Sequence, residues 1–538
     1  MYSSKERIQF KVCKWINNDT FKELLEFSEY VGRRGGCSYF EIDPVKMWRS
    51  DLKMIDVYRK LSEIDGVDPE DLEKIHGLAV KESTVQIYLH DDGLLRIKSD
   101  MYLKPILSKL GIYLPYDRGE RAYKAPAHLY RRLVELFQSQ GLTVDDKINL
   151  LNKKIPRKIS FLGKLRPYQE EALEAWKRNN RLGVIALPTG AGKTVVAIAG
   201  MVEASVYTLV VVYTKEHVKQ WIDSIKRFTD ADGLVGAYYG DEKRIAPITV
   251  TTYQTAFKKV KLFAPMFSLL VIDEAHHLPA DKFRVIATRM PAPYRMGLSA
   301  TIEREDGKHE EIFPLIGGIV YHSTPGELAR KGYLAPYKII TVKVRLKGDE
   351  KERYEKLRRE YQALARGRTF QEVLEAAKKG DPTAIEALRR HAEMRSIIQM
   401  SETKLREVEK LAKREAEKGN KVIIFTQYKK QAEEIAKRVN GIILHGDMDG
   451  RDRFRALERF KSMDKGILVV TTVGDEGLDI PDANVGILVS GTGSSRQFLQ
   501  RLGRLLRPSP GKKSAVLYEV IVEGTSEEYQ SRRRRRLR

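Results

Sequence analysis

Residues 187–194, with the sequence Leu-Pro-Thr-Gly-Ala-Gly-Lys-Thr, have the composition of a phosphate-binding loop. They follow a short apolar run at 182–186 and precede a helix-like stretch at 195–201, which is the strand–loop–helix context that such a loop requires. Backbone N–H groups and the positive end of the helix dipole attract phosphate there. We expect Lys193 to reach the β- and γ-phosphates and Thr194 to bind Mg²⁺, although Leu187 stands where a first glycine is usual. The other predicted phosphate-loop residues are Pro188, Thr189, Gly190, Ala191 and Gly192.

Two adjacent carboxylates, Asp273 and Glu274, end a second apolar run at 266–273. A carboxylate at the end of a buried strand can hold Mg²⁺, partly through water, and the next one can orient and deprotonate an attacking water. We assign the metal to Asp273 and the water to Glu274. An acidic pair can also cap the next helix, but the Lys193 loop upstream favours the catalytic interpretation.

Two arginines, Arg504 and Arg507, lie in a second α/β region of the chain. Arginines three residues apart share one face of a helix, and their permanently charged guanidinium groups suit transition-state charge. An arginine that reaches into a phosphoryl-transfer site from another domain, called an arginine finger, raises the rate about 10³–10⁵-fold. We predict that both reach the phosphates from a second domain, the alternative being a solvated basic helix face.

The length of 538 residues suggests roughly three to four domains, and 42% hydrophobic residues fits a globular protein rather than a disordered one. The chain lacks the apolar run of about 18 residues that a transmembrane helix requires. Residues 1–10 are polar and lack an apolar signal region. We therefore expect an intracellular protein, cytoplasmic and nucleoid-associated if the source is prokaryotic, without a membrane partner.

The formal net charge is +23, from 96 Lys and Arg against 73 Asp and Glu. Such an excess is the electrostatic footprint of a nucleic-acid binder, although a membrane surface or an acidic protein is compatible with charge alone. Five consecutive arginines occupy positions 532–536. We expect them to form a flexible tail with nonspecific affinity for polyanions.

The two cysteines, Cys13 and Cys37, have no metal-ligand spacing around them. This excludes a zinc or iron–sulfur site built from cysteines, and a disulfide is not expected in a reducing compartment.

Apolar runs alternate with helical patterns in two long regions, which predicts an α/β fold with two parallel sheets in tandem. The first region, 160–335, carries the nucleotide loop; the second, 336–538, includes a charged helical insertion at 347–418 and a basic tail at 531–538. The insertion could track a phosphate backbone or serve as a solvated spacer. Ahead of them we expect an extension of helix and loop at 1–75, with a basic loop at 32–36, and an α+β accessory domain at 76–155. Residues 91–93, Asp-Asp-Gly, predict a hairpin in that domain.

These motifs resemble the superfamily 2 helicases, and most closely the XPB family in its shorter archaeal form, over about residues 160–530. Segment 165–169 resembles the motif in which Arg166 and Gln169 recognise adenine. Segment 471–481 resembles the motif that touches both DNA and nucleotide, which implies nucleotide contacts for Gly477 and Asp479. Segment 297–301 resembles the motif that couples hydrolysis to domain movement. The coupling residues that the resemblance implies are His276, Ser299, Thr301 and Gln500.

The resemblance implies RecA-like motor domains, ATP and Mg²⁺ as cofactors, and 3′→5′ movement on single-stranded or duplex DNA in repair or transcription. Archaeal relatives imply a nuclease partner, and no iron–sulfur cluster is expected. Residues 113–145 are similar to part of a damage-recognition domain. The triplet Arg304, Glu305 and Asp306 is associated with XPB-type proteins and is interpreted as a DNA wedge, the alternative being a solvated turn.

A motor that tolerates any DNA sequence should grip phosphate and sugar rather than bases. Hydroxyl, amide and ammonium groups at the predicted strand ends suit that role, although they could equally cap helices and turns. The candidates are Thr214, Lys215, Thr252, Gln254, Thr426, Gln427 and, by resemblance, Thr471.

Two other functions compete with a DNA motor. The motor subunit of a restriction or defence nuclease should carry a nuclease carboxylate cluster or rely on a partner, and residues 1–150 show no such cluster. A non-enzymatic DNA-binding scaffold would not need Lys193, Asp273 and the two arginines together. RNA helicases share several of these motifs; the helical insertion and the triplet at 304–306 favour DNA, whereas the preference for or against a 2′-hydroxyl is not encoded in a readable motif.

Overall fold

The computed structural model describes residues 8–82, 84–275, 281–300, 314–471, 483–489 and 514–535. Within these ranges the strands form four sheets, two near the N-terminus and two larger parallel ones that follow. The helices of the same ranges include none that is long and apolar enough to cross a membrane.

The chain begins with a small antiparallel sheet rather than the predicted mixture of helix and loop. Its elements are β1 (Gln9–Val12), α1 (Asn18–Leu25), β2 (Ser28–Arg34), β3 (Cys37–Ile42), α2 (Pro44–Arg49), α3 (Met54–Ser62) and α4 (Pro69–Glu82). The predicted basic loop at 32–36 is wrong, because Arg33 and Arg34 lie in β2. The hairpin turns at Gly35 and Gly36, whose φ angles of +58° and +83° favour glycine.

Cys13 and Cys37 form a disulfide, so the expectation of two separate thiols is wrong. In the antiparallel pair β1–β3, Val12 lies opposite Ser38. The next two residues are therefore the cysteines, and their Cα atoms lie 4.0 Å apart. Strand register creates this proximity between residues that are distant in sequence.

A five-stranded sheet in the order β6-β7-β5-β4-β8 forms the accessory region. Its elements are β4 (Thr84–Leu89), β5 (Leu94–Ser99), α5 (Lys104–Ser108), β6 (Tyr116–Asp117), β7 (Ala122–Pro126), a 3₁₀ turn (Ala127–Leu129), α6 (Tyr130–Ser139) and β8 (Thr143–Asp146). The predicted hairpin is confirmed, because β4 and β5 pair antiparallel around it.

The two N-terminal sheets share one hydrophobic core. Phe10 and Phe40 of the first sheet are buried in the same cluster as Ile87 of the second sheet and Phe137 of α6. The expected boundary at residue 75 falls within α4. We therefore describe residues 8–150 as one N-terminal unit.

The first parallel sheet has the strand order β12-β11-β13-β10-β14-β15-β9-β16, in which only the edge strand β12 is antiparallel to its neighbour. Its strands are β9 (Leu182–Ala186), β10 (Thr208–Val212), β11 (Val235–Tyr239), β12 (Glu242–Lys243), β13 (Ile248–Thr252), β14 (Leu269–Ile272), β15 (Tyr294–Ser299) and β16 (Ile319–His322). Helices on both faces are α7 (Pro167–Arg178), α8 (Lys193–Ala204), α9 (Lys215–Phe228), α10 (Tyr253–Lys258), α11 (Val260–Phe263) and α12 (Asp281–Arg289). The pairs β10–β14, β14–β15 and β15–β9 are parallel, so these four strands end at one edge.

The second parallel sheet has the strand order β17-β22-β21-β18-β20-β19. Its strands are β17 (Tyr337–Val344), β18 (Lys421–Thr426), β19 (Ile442–Leu444), β20 (Gly466–Thr471), β21 (Val485–Leu488) and β22 (Ala515–Val522). The helices from residue 325 onwards are α13 (Pro325–Arg330), α14 (Gly348–Ala365), α15 (Phe370–Lys378), α16 (Pro382–Met400), α17 (Glu402–Glu417), α18 (Lys429–Val439), α19 (Gly450–Ser462) and α20 (Ser526–Arg535).

Helices α14, α15 and α16 form the insertion between β17 and β18. They have a small core of their own that includes Val373, Ala384 and Ala387. The fourth helix of the expected insertion, α17, instead buries Leu405 and Val408 with the strands of the second sheet. It therefore covers that sheet instead of joining the core of the three helices before it.

The run of arginines begins on α20, so a flexible tail is the wrong description of its first residues. Glu527 of α20 accepts a hydrogen bond from the buried Lys404 Nζ at 2.6 Å. The Ser531 hydroxyl donates to Glu519 at 2.5 Å. These contacts hold α20 against the second sheet, while the Arg532 side chain is exposed.

The N-terminal unit packs on the first parallel sheet. Arg131 Nη1 donates to Asn180 O at 2.6 Å, and Ser268 Oγ donates to Leu150 O at 2.6 Å. His128 lies in the same interface, where burial first and the charge of Arg295 second lower its pKa to about 4. The neutral imidazole is therefore the form that this interface accepts.

Reduction of the disulfide should destabilise the N-terminal unit. Cross-links of this loop length contribute roughly 3 kcal/mol to the free energy of unfolding. Thermal unfolding with and without dithiothreitol measures the effect, with the double variant Cys13→Ala/Cys37→Ala as the control that reductant should not change. Equal unfolding temperatures for oxidised and fully reduced wild-type protein would contradict the prediction.

Acidification should weaken the interface that contains His128. A histidine whose folded pKa is lowered contributes stability that is present above its ordinary pKa of about 6.5, and that stability is lost as the pH falls from there towards about 4. Unfolding temperatures of wild-type protein and His128→Gln, compared from pH 7.5 to 4.5, isolate this contribution. The variant should lose less stability than wild type over that interval, and parallel curves would refute the assignment.

Candidate active site

The predicted phosphate loop joins β9 to α8 in a conformation that requires glycine. Gly190 and Gly192 have φ angles of +85° and +80°. A Cβ atom at Gly192 would lie 2.4 Å from Gln169 Nε2. Glycine at position 192 therefore permits both the left-handed backbone and the close approach of the Gln169 amide to the loop.

Two polar groups of this loop fit a phosphate ligand. Lys193 is only 8% exposed, and its Nζ donates to Leu187 O at 3.1 Å. Thr189 Oγ1 is buried and has no hydrogen-bond partner among the described residues. An anionic phosphate oxygen would stabilise both groups, because it offers an acceptor to the buried Lys193 ammonium and to the buried Thr189 hydroxyl. Leu187, which replaces the usual glycine, is fully buried, and its N–H donates to Ser299 O at 3.0 Å.

Gln169 connects α7 to the phosphate loop. Its Oε1 accepts from Arg166 N at 2.9 Å, and its Nε2 donates to Ala191 O at 2.9 Å. The Arg166 guanidinium donates to Tyr333 O at 3.0 Å. Both residues therefore lie beside the loop, and their predicted contact with adenine stays a prediction.

Asp273 and Glu274 lie immediately beyond the end of β14. The Asp273 carboxylate accepts two hydrogen bonds, to Oδ1 from Glu274 N at 2.9 Å and to Oδ2 from Trp221 Nε1 at 2.8 Å. Burial first and the neighbouring Glu274 second raise the pKa of Asp273. Trp221, His217 and Lys193 act in the opposite direction and favour the carboxylate. Glu274 has a left-handed φ of +48°, a conformation that clusters at functional sites.

Sequence reasoning missed two aromatic residues at this site. Trp221 is 3% exposed and bonds Asp273 from α9. The Tyr253 hydroxyl donates to Asp273 O at 2.9 Å from α10. Both helices follow strands of the same sheet, so a search for hydrogen-bond donors on the helices after β10 and β13 could have found them.

Several predicted DNA contacts are helix caps in this structure. Thr214 accepts from His217 N at 3.3 Å and caps α9, which Lys215 begins. Thr252 accepts from Thr255 N at 3.3 Å and caps α10, where Gln254 is exposed.

The second-sheet candidates lie at the ends of β18 and β20. Thr426 is fully buried and bonds Gln431, and Thr471 is 3% exposed. Their side chains are therefore enclosed, whereas Gln427 is half-buried. DNA contact by any of these residues stays a prediction.

Ser299, a predicted coupling residue, ends β15 next to the phosphate loop, and Thr194, the second residue of α8, is half-buried. The remaining predicted site residues lie outside the described part of the chain. They are His276, Thr301, Arg304, Glu305, Asp306, Gly477, Asp479, Gln500, Arg504 and Arg507.

Gly192→Ala should weaken nucleotide binding because the new Cβ displaces the Gln169 amide from the phosphate loop. Gly233→Ala is a matched control, since Gly233 has a nearly equal φ of +79° with open space around its Cβ position. Both changes should cost about 1–2 kcal/mol of stability. Binding of a fluorescent ATP analogue should weaken at least about 10-fold in Gly192→Ala alone. Equal affinity in the two variants would show that the close approach is unimportant.

Comparison with known proteins identifies the family of this chain. A family model described as Type III restriction enzyme, res subunit, matches residues 162–304, and one described as ERCC3/RAD25/XPB C-terminal helicase matches residues 385–537. The DNA 3′-5′ translocase XPB2 of Sulfurisphaera tokodaii is 38% identical over 426 residues, which cover 77% of this chain and 94% of that protein.

Two further relatives match shorter parts of their own lengths. The DNA 3′-5′ helicase XPB of Kineococcus radiotolerans is 33% identical over 382 residues, covering 69% of this chain and 62% of that protein. The general transcription and DNA repair factor IIH helicase/translocase subunit XPB of Drosophila melanogaster is 29% identical over 395 residues, which cover 69% of this chain and 46% of that protein. The two parallel sheets are accordingly RecA-like motor domains in tandem, and the chain belongs to the XPB family of superfamily 2 helicases.

Proposed function

We propose that this protein is an ATP-dependent DNA translocase or helicase that moves 3′→5′. The observation that carries the proposal is the meeting of the Lys193 loop with Asp273 and Glu274 at one edge of the first parallel sheet. Two relatives, the DNA 3′-5′ translocase XPB2 of Sulfurisphaera tokodaii and the DNA 3′-5′ helicase XPB of Kineococcus radiotolerans, support DNA as the polymer and 3′→5′ as the polarity.

The described residues supply binding and orientation for hydrolysis. The loop N–H groups and Lys193 hold the phosphates, and Glu274 orients the attacking water and accepts its proton. Thr194 and Asp273 would hold Mg²⁺, which when bound offsets the charge that builds on the phosphate oxygens. Arg504 and Arg507 would complete the site from the second motor domain.

Movement follows from closure of the two motor domains around ATP. Closure is favoured only to the extent that ATP binds the closed arrangement better than the open one. A strand held by both domains then advances once in each cycle. Phosphate contacts from strand ends, including Lys215, Gln254 and Gln427, would tolerate any sequence. The net charge of +23 supports a polyanionic track.

The N-terminal unit would modulate affinity for intact or distorted DNA. Its five-stranded sheet borders a cavity of about 730 Å³ whose lining combines tyrosines with arginines, the pairing that stacks bases and holds phosphates. Tyr113 and Tyr102 of this lining are 86% and 60% exposed. A nuclease partner and a role in repair or transcription are further parts of the proposal, supported by the family alone.

A motor subunit of a restriction system is the second candidate. The match of residues 162–304 to the res subunit favours it. That match ends within the first motor domain, whereas the XPB-type model covers most of the second. The XPB-type reading therefore accounts for more of the chain.

Displacement of streptavidin from biotinylated single-stranded DNA tests the proposal. Wild-type protein with ATP should displace streptavidin from the 5′ end and not from the 3′ end. Lys193→Ala is the blank, because loss of one electrostatic donor to the phosphates should slow turnover at least about 100-fold. Displacement from the 3′ end would reverse the polarity, and ATP hydrolysis without displacement from either end would contradict a translocase.

A further inference from the structure

A buried indole links the metal carboxylate to a helix that starts at a proposed DNA contact. Trp221 Nε1 donates to Asp273 Oδ2 at 2.8 Å; Trp221 is 3% exposed, and Asp273 is half-buried. Glu274 N occupies the other oxygen at 2.9 Å. Two donors from different elements therefore fix the plane of the carboxylate.

Helix α9 is the element that carries this indole. It starts at Lys215 directly after Thr214, whose hydroxyl accepts from His217 N and caps the helix. Trp221 follows about two helical turns later. Val218, Trp221 and Ile225 form the buried stripe that packs α9 on the sheet, so the helix is held as one rigid element. A displacement at Thr214 and Lys215 therefore moves the indole N–H as well.

We infer that Trp221 is a positioning residue that transmits DNA contact at the start of α9 to the metal-binding carboxylate of Asp273. This inference rests on the proposed function, because it takes Mg²⁺ at Asp273 and DNA at Thr214 and Lys215. An ionised carboxylate has about four acceptor positions, so two remain for the metal and its water after Trp221 and Glu274 have donated. Because the indole N–H occupies one acceptor position, its placement determines which two positions stay available to the metal and its water.

The test replaces Trp221 by Phe, which keeps an aromatic ring and removes the N–H donor. Groups that orient metal ligands typically contribute 10–100-fold to metal affinity. Added Mg²⁺ increases the affinity of the wild-type protein for N-methylanthraniloyl-ADP. In Trp221→Phe this increase in affinity should be at least about 10-fold smaller. Affinity in EDTA, and affinity for a poly-dT oligonucleotide, should be unchanged.

Trp176→Phe is the matched control. Trp176 is fully buried and its Nε1 donates to Arg295 O at 2.8 Å, so this variant also loses one buried indole hydrogen bond. It should lose stability but keep the wild-type response to Mg²⁺. An equal loss of the Mg²⁺ response in both variants, or no loss in Trp221→Phe, would overturn the inference.

A measurement on wild-type protein covers the case in which Trp221→Phe does not fold. The chain has four tryptophans, so ¹⁵N-labelled tryptophan gives four indole signals, which the other single Trp→Phe variants assign by elimination. Addition of poly-dT without nucleotide should shift the Trp221 signal and leave that of Trp176 in place. An unmoved Trp221 signal on a DNA-saturated protein would overturn the inference.

If the proposed function itself were wrong, the binding measurements on the wild-type protein would give a different result. Wild-type protein would then bind neither the ADP analogue in a Mg²⁺-dependent way nor poly-dT. If wild type binds both and Trp221→Phe matches it in every respect, the role of Trp221 alone is refuted.

Discussion

The order of strands in the first parallel sheet is the constraint on which the proposed chemistry depends. β9 pairs with β15, and β15 pairs with β14, so the strand that leads into the phosphate loop and the strand that ends at Asp273 are separated by a single neighbour. Because all three run parallel, Lys193, Ser299 and Asp273 reach the same edge. A different strand order would leave each motif intact and the site unassembled.

Burial gives that edge its electrostatic character. Lys193 is nearly enclosed, and burial together with Glu274 disfavours the ionised form of Asp273, while Trp221 and Lys193 favour it. Charges in such surroundings interact more strongly than they would in water. The phosphates of ATP would therefore change the electrostatic interactions of both Lys193 and Asp273. Helix α9, which donates a hydrogen bond to Asp273 through Trp221, would respond to that change.

The positions of the buried parallel strands could be predicted from the sequence better than the contacts between elements. β9 forms at the predicted run 182–186, and β14 lies within the run 266–273, because uninterrupted apolar runs mark buried parallel strands. The Cys13–Cys37 disulfide, by contrast, depends on strand register, and the bond from Trp221 to Asp273 depends on strand order. Neither property is visible in a local pattern. Helix α17 was counted with the insertion for the same reason, since the sheet that it covers is formed by distant residues.

Steady-state ATP hydrolysis with no nucleic acid, single-stranded DNA, duplex DNA and RNA tests the central claim most directly, with Lys193→Ala as the blank. The account predicts that DNA stimulates hydrolysis more than RNA does, and that the variant loses both basal and stimulated activity. Hydrolysis that DNA leaves unchanged, or activity that survives in Lys193→Ala, would contradict a DNA-driven motor built on this site.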